Sequence, residues 1–107
     1  MRFIHWFLPA TLLLGGCAAT TSVAPPVSPA MVGASHGATA DTLNGGRRIF
    51  TTQCTACHSA DPVGKHSVAE WRRIVGDMSH RAKLNAAQEQ ALLAYLIAAR
   101  ETPVVAR

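Results

Sequence analysis

The chain has 107 residues, 49% of them hydrophobic and 15% charged, and its formal net charge at pH 7 is +4. This length accommodates one small domain. No stripe of basic residues with interleaved aromatics accompanies the modest positive charge, and no nucleic-acid-binding motif is present, so these features argue against a nucleic acid as partner. The chain contains three cysteines, an odd number that raises the question of a spare thiol in an exported protein.

The first sixteen residues have the pattern of a signal peptide. Arg2 supplies a short basic region, and the stretch from Phe3 to Leu14 is almost entirely apolar. This stretch is too short for a membrane-spanning helix, which needs about 20 apolar residues. The run Leu14-Gly15-Gly16-Cys17 resembles the lipobox of bacterial lipoproteins, in which the cysteine becomes the first residue and carries acyl chains. The alternative is an ordinary secretory signal with a small-residue cleavage site.

The lipobox resemblance implies a location. Residues 1–16 would be removed and Cys17 would anchor the chain to a membrane, since several acyl chains anchor stably where one does not. Ala18 follows the lipidated position, where an aspartate often signals retention in the inner membrane of such lipoproteins. The resemblance therefore implies an outer-membrane anchor that faces the periplasm of a Gram-negative bacterium.

Residues 17–41 are predicted to form a flexible tether. The composition is dominated by small residues and includes Pro25, Pro26 and Pro29, whereas Asp41 is the sole charged residue. Neither a helical nor an alternating apolar period runs through this stretch. Such a tether would let the folded part, residues 42–104, stand off the membrane.

The first predicted helix runs from about Leu43 to Cys57, with Thr42 or Asn44 as candidate N-caps. Four of its residues recur at steps of three or four and therefore share one face. These residues are Gly46, Phe50, Cys54 and Cys57.

The run Cys54-Thr55-Ala56-Cys57-His58 is a C-x-x-C-H motif, the attachment signal for c-type haem. Two thiols at this spacing can form thioethers with the two vinyl groups of one porphyrin, and His58 can then serve as the proximal iron ligand. A redox dithiol would require a preceding strand, and a structural zinc site would require two further ligands. The motif therefore predicts one covalent haem c, which together with lipid on Cys17 accounts for all three cysteines.

Two further helices are predicted after the motif. One begins at Ser67, where Glu70 completes a capping box, and the other begins near Asn85, where Gln88 is in the equivalent position; Pro103 ends it. The apolar residues of the earlier helix are Val68, Trp71, Ile74 or Val75, and Met78, and those of the later helix are Leu92, Tyr95, Leu96 and Ala99. No segment shows strand alternation, so an all-α domain is expected. A domain of about sixty residues rarely has a sufficient core of its own. Haem is therefore expected to supply the missing apolar core, and the haem-free chain is expected to be largely unfolded.

These residues resemble class I cytochrome c over residues 43 to about 100. In that family the first and last helices cross closely at a glycine, which implies that Gly46 and Phe50 meet Tyr95 and Leu96. A narrower resemblance is to the short haem domains that accompany periplasmic dehydrogenases. The residues that carry it are Trp71, Val75, Met78, Leu84, Tyr95 and Leu96. The implied fold is a small class I cytochrome c, with about three main helices around one haem.

Met78 is the predicted distal iron ligand, because it lies on the apolar face of its helix and because the family places a methionine here. A thioether ligand raises the reduction potential and suits an electron carrier. The alternatives are His80 and His66, or an open site. Trp71 is a candidate donor to a haem propionate, and the charges Arg72, Arg73, Arg81 and Lys83 are candidates for pairing with propionates or for docking a partner.

The predicted function is the transfer of single electrons between periplasmic redox proteins. Outside the haem the chain offers no general base or nucleophile, so it is not expected to be an enzyme by itself. The alternatives are an electron-accepting haem subunit of a periplasmic dehydrogenase of the molybdenum or quinoprotein type, or a five-coordinate haem sensor or peroxidase. The positive face between Lys65 and Lys83 would steer an acidic redox partner.

Overall fold

The computed structural model describes residues 23–56 and 59–102, and these form an all-helical structure. The four α-helices are α1 (Pro29–Ala34), α2 (Ala40–Thr52), α3 (Val68–Arg81) and α4 (Ala86–Glu101). A 3₁₀ turn at Val63–Lys65 precedes α3. No strand occurs within these two ranges, and the prediction of an all-α fold is confirmed.

Helices α3 and α4 begin where the sequence predicts. The Ser67 hydroxyl accepts a hydrogen bond from the Glu70 backbone N–H (3.2 Å), and the Ser67 N–H donates to the Glu70 carboxylate (2.7 Å). The amide side chains of Asn85 and Gln88 make the same reciprocal pair at α4, at 2.8 and 2.9 Å. Each box satisfies two backbone donors that a helix start leaves free, which fixes both helix starts.

Helix α2 differs from its prediction at both ends. Its N-cap is Thr39, whose hydroxyl accepts from the Thr42 backbone N–H (3.1 Å), rather than Thr42 or Asn44. The helix ends at Thr52, and Cys54 follows in a turn whose backbone N–H donates to the Ile49 carbonyl (3.2 Å). The prediction of one helix from about Leu43 to Cys57 is therefore wrong at its carboxyl end. Cys54 lies just beyond the carboxyl end of α2.

The close approach of α2 to α4 is the centre of the fold, and it depends on Gly46. A β-carbon added to Gly46 would clash with the backbone carbonyl of Ala91 and lie 2.8 Å from the Tyr95 Cβ. The ring of Phe50 packs on that of Tyr95 with centroids 6.4 Å apart. The prediction that Gly46 and Phe50 meet the last helix at Tyr95 is confirmed. The largest fully buried side chains are Tyr95, Leu43 and Leu96.

Residues 23–35 pack against this helix pair and are called the N-terminal strap below. Met31, within α1, is 2% exposed. Three strap carbonyls accept hydrogen bonds from the domain: Val23 from the Val63 N–H (3.1 Å), Ala24 from Arg47 Nε (3.1 Å) and Pro25 from the Tyr95 hydroxyl (2.7 Å).

The strap corrects the prediction of a flexible tether. From Val23 onward, the stretch assigned to the tether belongs to the packed domain, so the folded part begins well before residue 42. The physical reason is that Ser28 caps α1 by accepting from the Met31 N–H (3.2 Å), and Pro29 occupies the first turn, where its missing N–H has no cost. Residues 17–22 of the predicted tether lie outside the described residues.

Other predictions also fall on residues that the structure does not describe. They are the signal peptide at 1–16, the lipidated Cys17, and Cys57 and His58 of the C-x-x-C-H motif. Among the helices of residues 23–56 and 59–102, none has the length and apolar character needed to cross a bilayer.

Tyr95, the sole tyrosine of the chain, provides a test of the strap contact. Burial raises the pKa of its hydroxyl from 10 to about 12. The neutral phenol is thus favoured in the folded state. The stability that this contributes is complete below pH 10 and declines as the pH rises towards 12. We expect an ultraviolet titration to show no tyrosinate in the folded protein until well above pH 10, and to show the ordinary midpoint in denaturant. A midpoint near 10 without denaturant would contradict the buried contact to Pro25.

Candidate functional site

A cavity of about 200 Å³ opens to solvent beside the described part of the C-x-x-C-H motif. The carboxyl end of α2, the loop at 59–67, one face of α3 and two leucines of α4 enclose it. Its lining residues are Phe50, Gln53, Cys54, Ala60, Asp61, His66, Trp71, Ile74, Val75, Met78, Arg81, Ala82, Leu92 and Leu96. Most of these side chains are apolar, so the cavity suits a ligand with a large apolar surface.

Helix α3 forms the longest wall of the cavity. Trp71, Ile74, Val75 and Met78 recur at steps of three and four residues, so one stripe of the helix faces the cavity. Trp71 and Val75 are each 3% exposed. This stripe is the apolar face predicted from the sequence. Its role is wider than core packing, because the same side chains also line an open space.

Cys54 lies on the cavity wall with its side chain half-buried. Burial raises the pKa of its thiol above the ordinary value of 9.0. A reactive redox dithiol needs the opposite shift, which commonly comes from a helix N-terminus. Cys54 instead follows the carboxyl end of α2, where the helix dipole disfavours a thiolate. The geometry at Cys54 thus argues against the redox-dithiol alternative.

Met78 lines the same cavity from the last turns of α3, and its side chain is partly buried. The other described methionine, Met31, is buried in the core contributed by the strap and does not line the cavity. Of these two thioethers, Met78 is therefore the one placed to contact a ligand in the cavity together with Cys54.

The indole N–H of Trp71, a predicted donor to a haem propionate, has a different partner in the structure. It donates to the backbone carbonyl of Val63 at 2.8 Å, in a buried hydrogen bond that ties the 3₁₀ turn to α3. The N–H is therefore not directed at a propionate, and that interpretation is corrected. The ring itself lines the cavity and contacts Phe50 edge to face, with centroids 5.8 Å apart.

The two histidine alternatives lie in different surroundings. His80 is exposed and does not line the cavity. His66 lines it, but its Nε2 lies 2.8 Å from a carboxylate oxygen of Asp61, and its ring meets Trp71 edge to face. Since one nitrogen of His66 is engaged by Asp61, the arrangement favours Met78 over both histidines as a ligand from this chain.

Asp61 is a polar member of the cavity that the sequence did not single out. Its carboxylate accepts a hydrogen bond from Lys65 Nζ at 2.8 Å as well as contacting His66. The hydrogen bonds from Lys65 and His66 lower the pKa of Asp61 below its ordinary value. The four-residue spacing of Asp61 and Lys65 was the available signal for this ion pair. In a loop, however, such a spacing does not predict that two side chains meet, because a loop has no regular period.

The basic residues of the predicted positive face have different surroundings in the structure. Lys65 pairs with Asp61, and Arg73 lies 3.6 Å from the Asp77 carboxylate. Arg72 and Lys83 are exposed and outside the cavity, whereas Arg81 is exposed and also lines it.

The residues that line the cavity are compatible with a covalent haem. Cys54 of the C-x-x-C-H motif and the thioether of Met78, a ligand type that haem iron accepts opposite histidine, share an apolar cavity. Comparisons of the chain with family models, with curated proteins and with solved structures found no match. A function for this site therefore depends on its own residues and geometry.

Proposed function

We propose that the protein is a monohaem c-type cytochrome of the class I kind, which transfers single electrons between exported redox proteins. The observation that carries the proposal is a single apolar cavity that is lined by both Cys54 of the C-x-x-C-H motif and Met78 of α3. The helix crossing at Gly46, with Phe50 against Tyr95, supports the class I resemblance.

Four residues would hold the cofactor. Cys54 and Cys57 would carry the thioether links, His58 would be the proximal iron ligand and Met78 the distal one. The bound haem supplies a reversible one-electron change at iron. No general base or nucleophile is needed for that function, so the proposal is a carrier and not an enzyme.

The remaining cavity residues determine the environment of that redox change. Val75, Leu92 and Leu96 are at most 3% exposed and provide an apolar wall that excludes water. The hydrogen bond from Trp71 to Val63 holds the loop against α3 and so keeps this wall in place. A dry environment of this kind and a thioether ligand both favour the reduced, less charged iron.

The direct test is the visible spectrum and mass of the mature protein, produced in cells that are competent in c-type cytochrome maturation. We expect a spectrum of covalent haem c that changes on reduction, and a mass that includes one haem. A colourless protein at the mass of the polypeptide with or without lipid would contradict the proposal. The mass also tests whether Cys17 carries acyl chains.

Substitution of Met78 tests the sixth ligand. We expect Met78→Ala to abolish the charge-transfer band of methionine-bound ferric haem. We also expect it to lower the reduction potential by on the order of 0.1 V, a fraction of the range of about 0.8 V that axial ligands span. Met31→Leu is the matched control, since it alters the other described methionine without touching the cavity. Absence of the band from the unaltered protein would point to a histidine ligand or to an open site, and its retention in Met78→Ala would assign the bond to another methionine.

We further propose an exported, lipid-anchored location, with the outer membrane as the site of attachment through Cys17. The partners would be periplasmic redox proteins or a periplasmic dehydrogenase. A Cys17→Ser variant is expected to appear in the soluble periplasmic fraction, whereas the unaltered protein stays with the membranes.

A further inference from the structure

Arg81 stands apart from the other basic residues of the described chain. Within residues 23–56 and 59–102, it is the one lysine or arginine among the residues that line the apolar cavity. It occupies the last position of α3, one helical turn after Met78. The ion pairs formed by described residues involve Lys65, His66 and Arg73, and Arg81 has no carboxylate partner in this part of the chain.

The charges around Arg81 leave it available to an anion in the cavity. The loop contributes Asp61, which Lys65 and His66 already engage at 2.8 Å. Helix α2 contributes the uncharged Gln53, and α4 contributes Leu92 and Leu96. On α3 itself, Asp77 lies four residues before Arg81 and pairs with Arg73 at 3.6 Å. No described carboxylate forms an ion pair with the Arg81 guanidinium.

The carboxyl end of a helix disfavours a nearby anion, because the unpaired carbonyls there carry partial negative charge. A ligand carboxylate beside the end of α3 would need a cation to offset both that field and its own partial loss of water. Arg81 is at this end and presents a planar fork that can bind a carboxylate through two parallel hydrogen bonds.

We propose that Arg81 binds a carboxylate of the cavity's ligand, which on the proposed function is a propionate of the haem. This inference rests on that function, and it separates Arg81 from Arg72, Arg73 and Lys83. The expected consequence is electrostatic. A guanidinium paired with the propionate offsets its negative charge and so stabilises the reduced iron.

The test is the reduction potential of the haem-loaded protein, measured by redox titration for four forms: unaltered, Arg81→Gln, Arg81→Lys and Arg72→Gln. Arg72→Gln is the matched control, because it removes the same charge from an exposed position of the same helix outside the cavity. We expect Arg81→Gln to lower the potential several-fold more than Arg72→Gln does. Arg81→Lys, which keeps the charge, is expected to remain close to the unaltered protein.

The outcomes separate this inference from the proposed function. Equal shifts in Arg81→Gln and Arg72→Gln, with haem attached in both, would overturn the role of Arg81 and leave the cytochrome proposal intact. Absence of haem from the unaltered protein would overturn both. If Arg81 acts only on the end of α3, Arg81→Gln will lower the thermal stability while its potential matches that of the Arg72 control. If Arg81→Gln does not retain haem, the comparison is made with Arg81→Lys instead. A reduction potential that is lowered more by Arg81→Lys than by Arg72→Gln would then overturn the inference.

Discussion

Replacing Gly46 with alanine is expected to destabilise the protein by roughly 3 kcal/mol or more, the upper end of what an overpacked core residue typically costs. The new methyl group would clash with the backbone carbonyl of Ala91 and approach the Tyr95 Cβ to 2.8 Å. Backbone atoms of a helix cannot rotate away as a flexible side chain can, so α2 and α4 would have to separate. For a domain of this size, each kcal/mol corresponds to a fall of about 4–8 °C in Tm.

Gly45→Ala is the matched control for that substitution. Gly45 is the preceding residue of the same helix, and a β-carbon there would meet nothing within 4 Å. Alanine is better than glycine inside a helix by roughly 0.5–1 kcal/mol, so this variant is expected to raise Tm. Calorimetry or circular dichroism melts of both variants measure the contrast. Similar Tm values for the two would show that the helices do not cross as closely as described.

Removal of both thiols of the C-x-x-C-H motif, in Cys54→Ala with Cys57→Ala, is expected to abolish cooperative unfolding, because the proposed haem could then not be attached. The walls of the cavity are apolar and partly belong to the core, including Phe50, Trp71 and Leu96. Without a ligand, the partly exposed apolar residues of the lining, Ile74 and Met78, face water. A single core in a domain of roughly this size rarely supplies more than about 3–5 kcal/mol. The measurement is a denaturant titration that follows the fluorescence of Trp71.

A second haem-free sample removes the objection that alanine at position 54 itself disturbs packing. The unaltered chain, produced without the maturation machinery, keeps both thiols and lacks haem. We expect the same loss of cooperativity in both samples. A sharp native-like transition in either would mean that the polypeptide core suffices and that haem is not its missing part.

The helix starts could be predicted from local sequence signals, whereas contacts between distant segments could not. The Ser67–Glu70 and Asn85–Gln88 boxes lie within four residues, and both predictions are confirmed. Ser28 followed by Pro29 is the same kind of local signal for α1, but the small-residue composition around it favoured a tether. The hydrogen bond from Tyr95 to Pro25 joins residues 70 positions apart, and no local pattern encodes it.

In the candidate site, too, local features could be predicted from the sequence and contacts between distant segments could not. The spacing of Trp71, Val75 and Met78 predicted a shared helix face, and the structure places all three on the cavity. The partner of the Trp71 indole could not be predicted, because it depends on the path of the loop that brings the Val63 carbonyl to α3. Arg81 could not be distinguished from its basic neighbours until the cavity was defined.

The N-terminal strap also limits the distance between the folded domain and a lipid anchor at Cys17. If lipid is attached at Cys17, residues 18–22 lie between the anchor and Val23, whose backbone carbonyl is hydrogen-bonded to the Val63 N–H. Even fully extended, that stretch spans at most about 20 Å. A domain anchored in this way would remain within a thin layer against the bilayer surface, and any binding partner would have to meet it there.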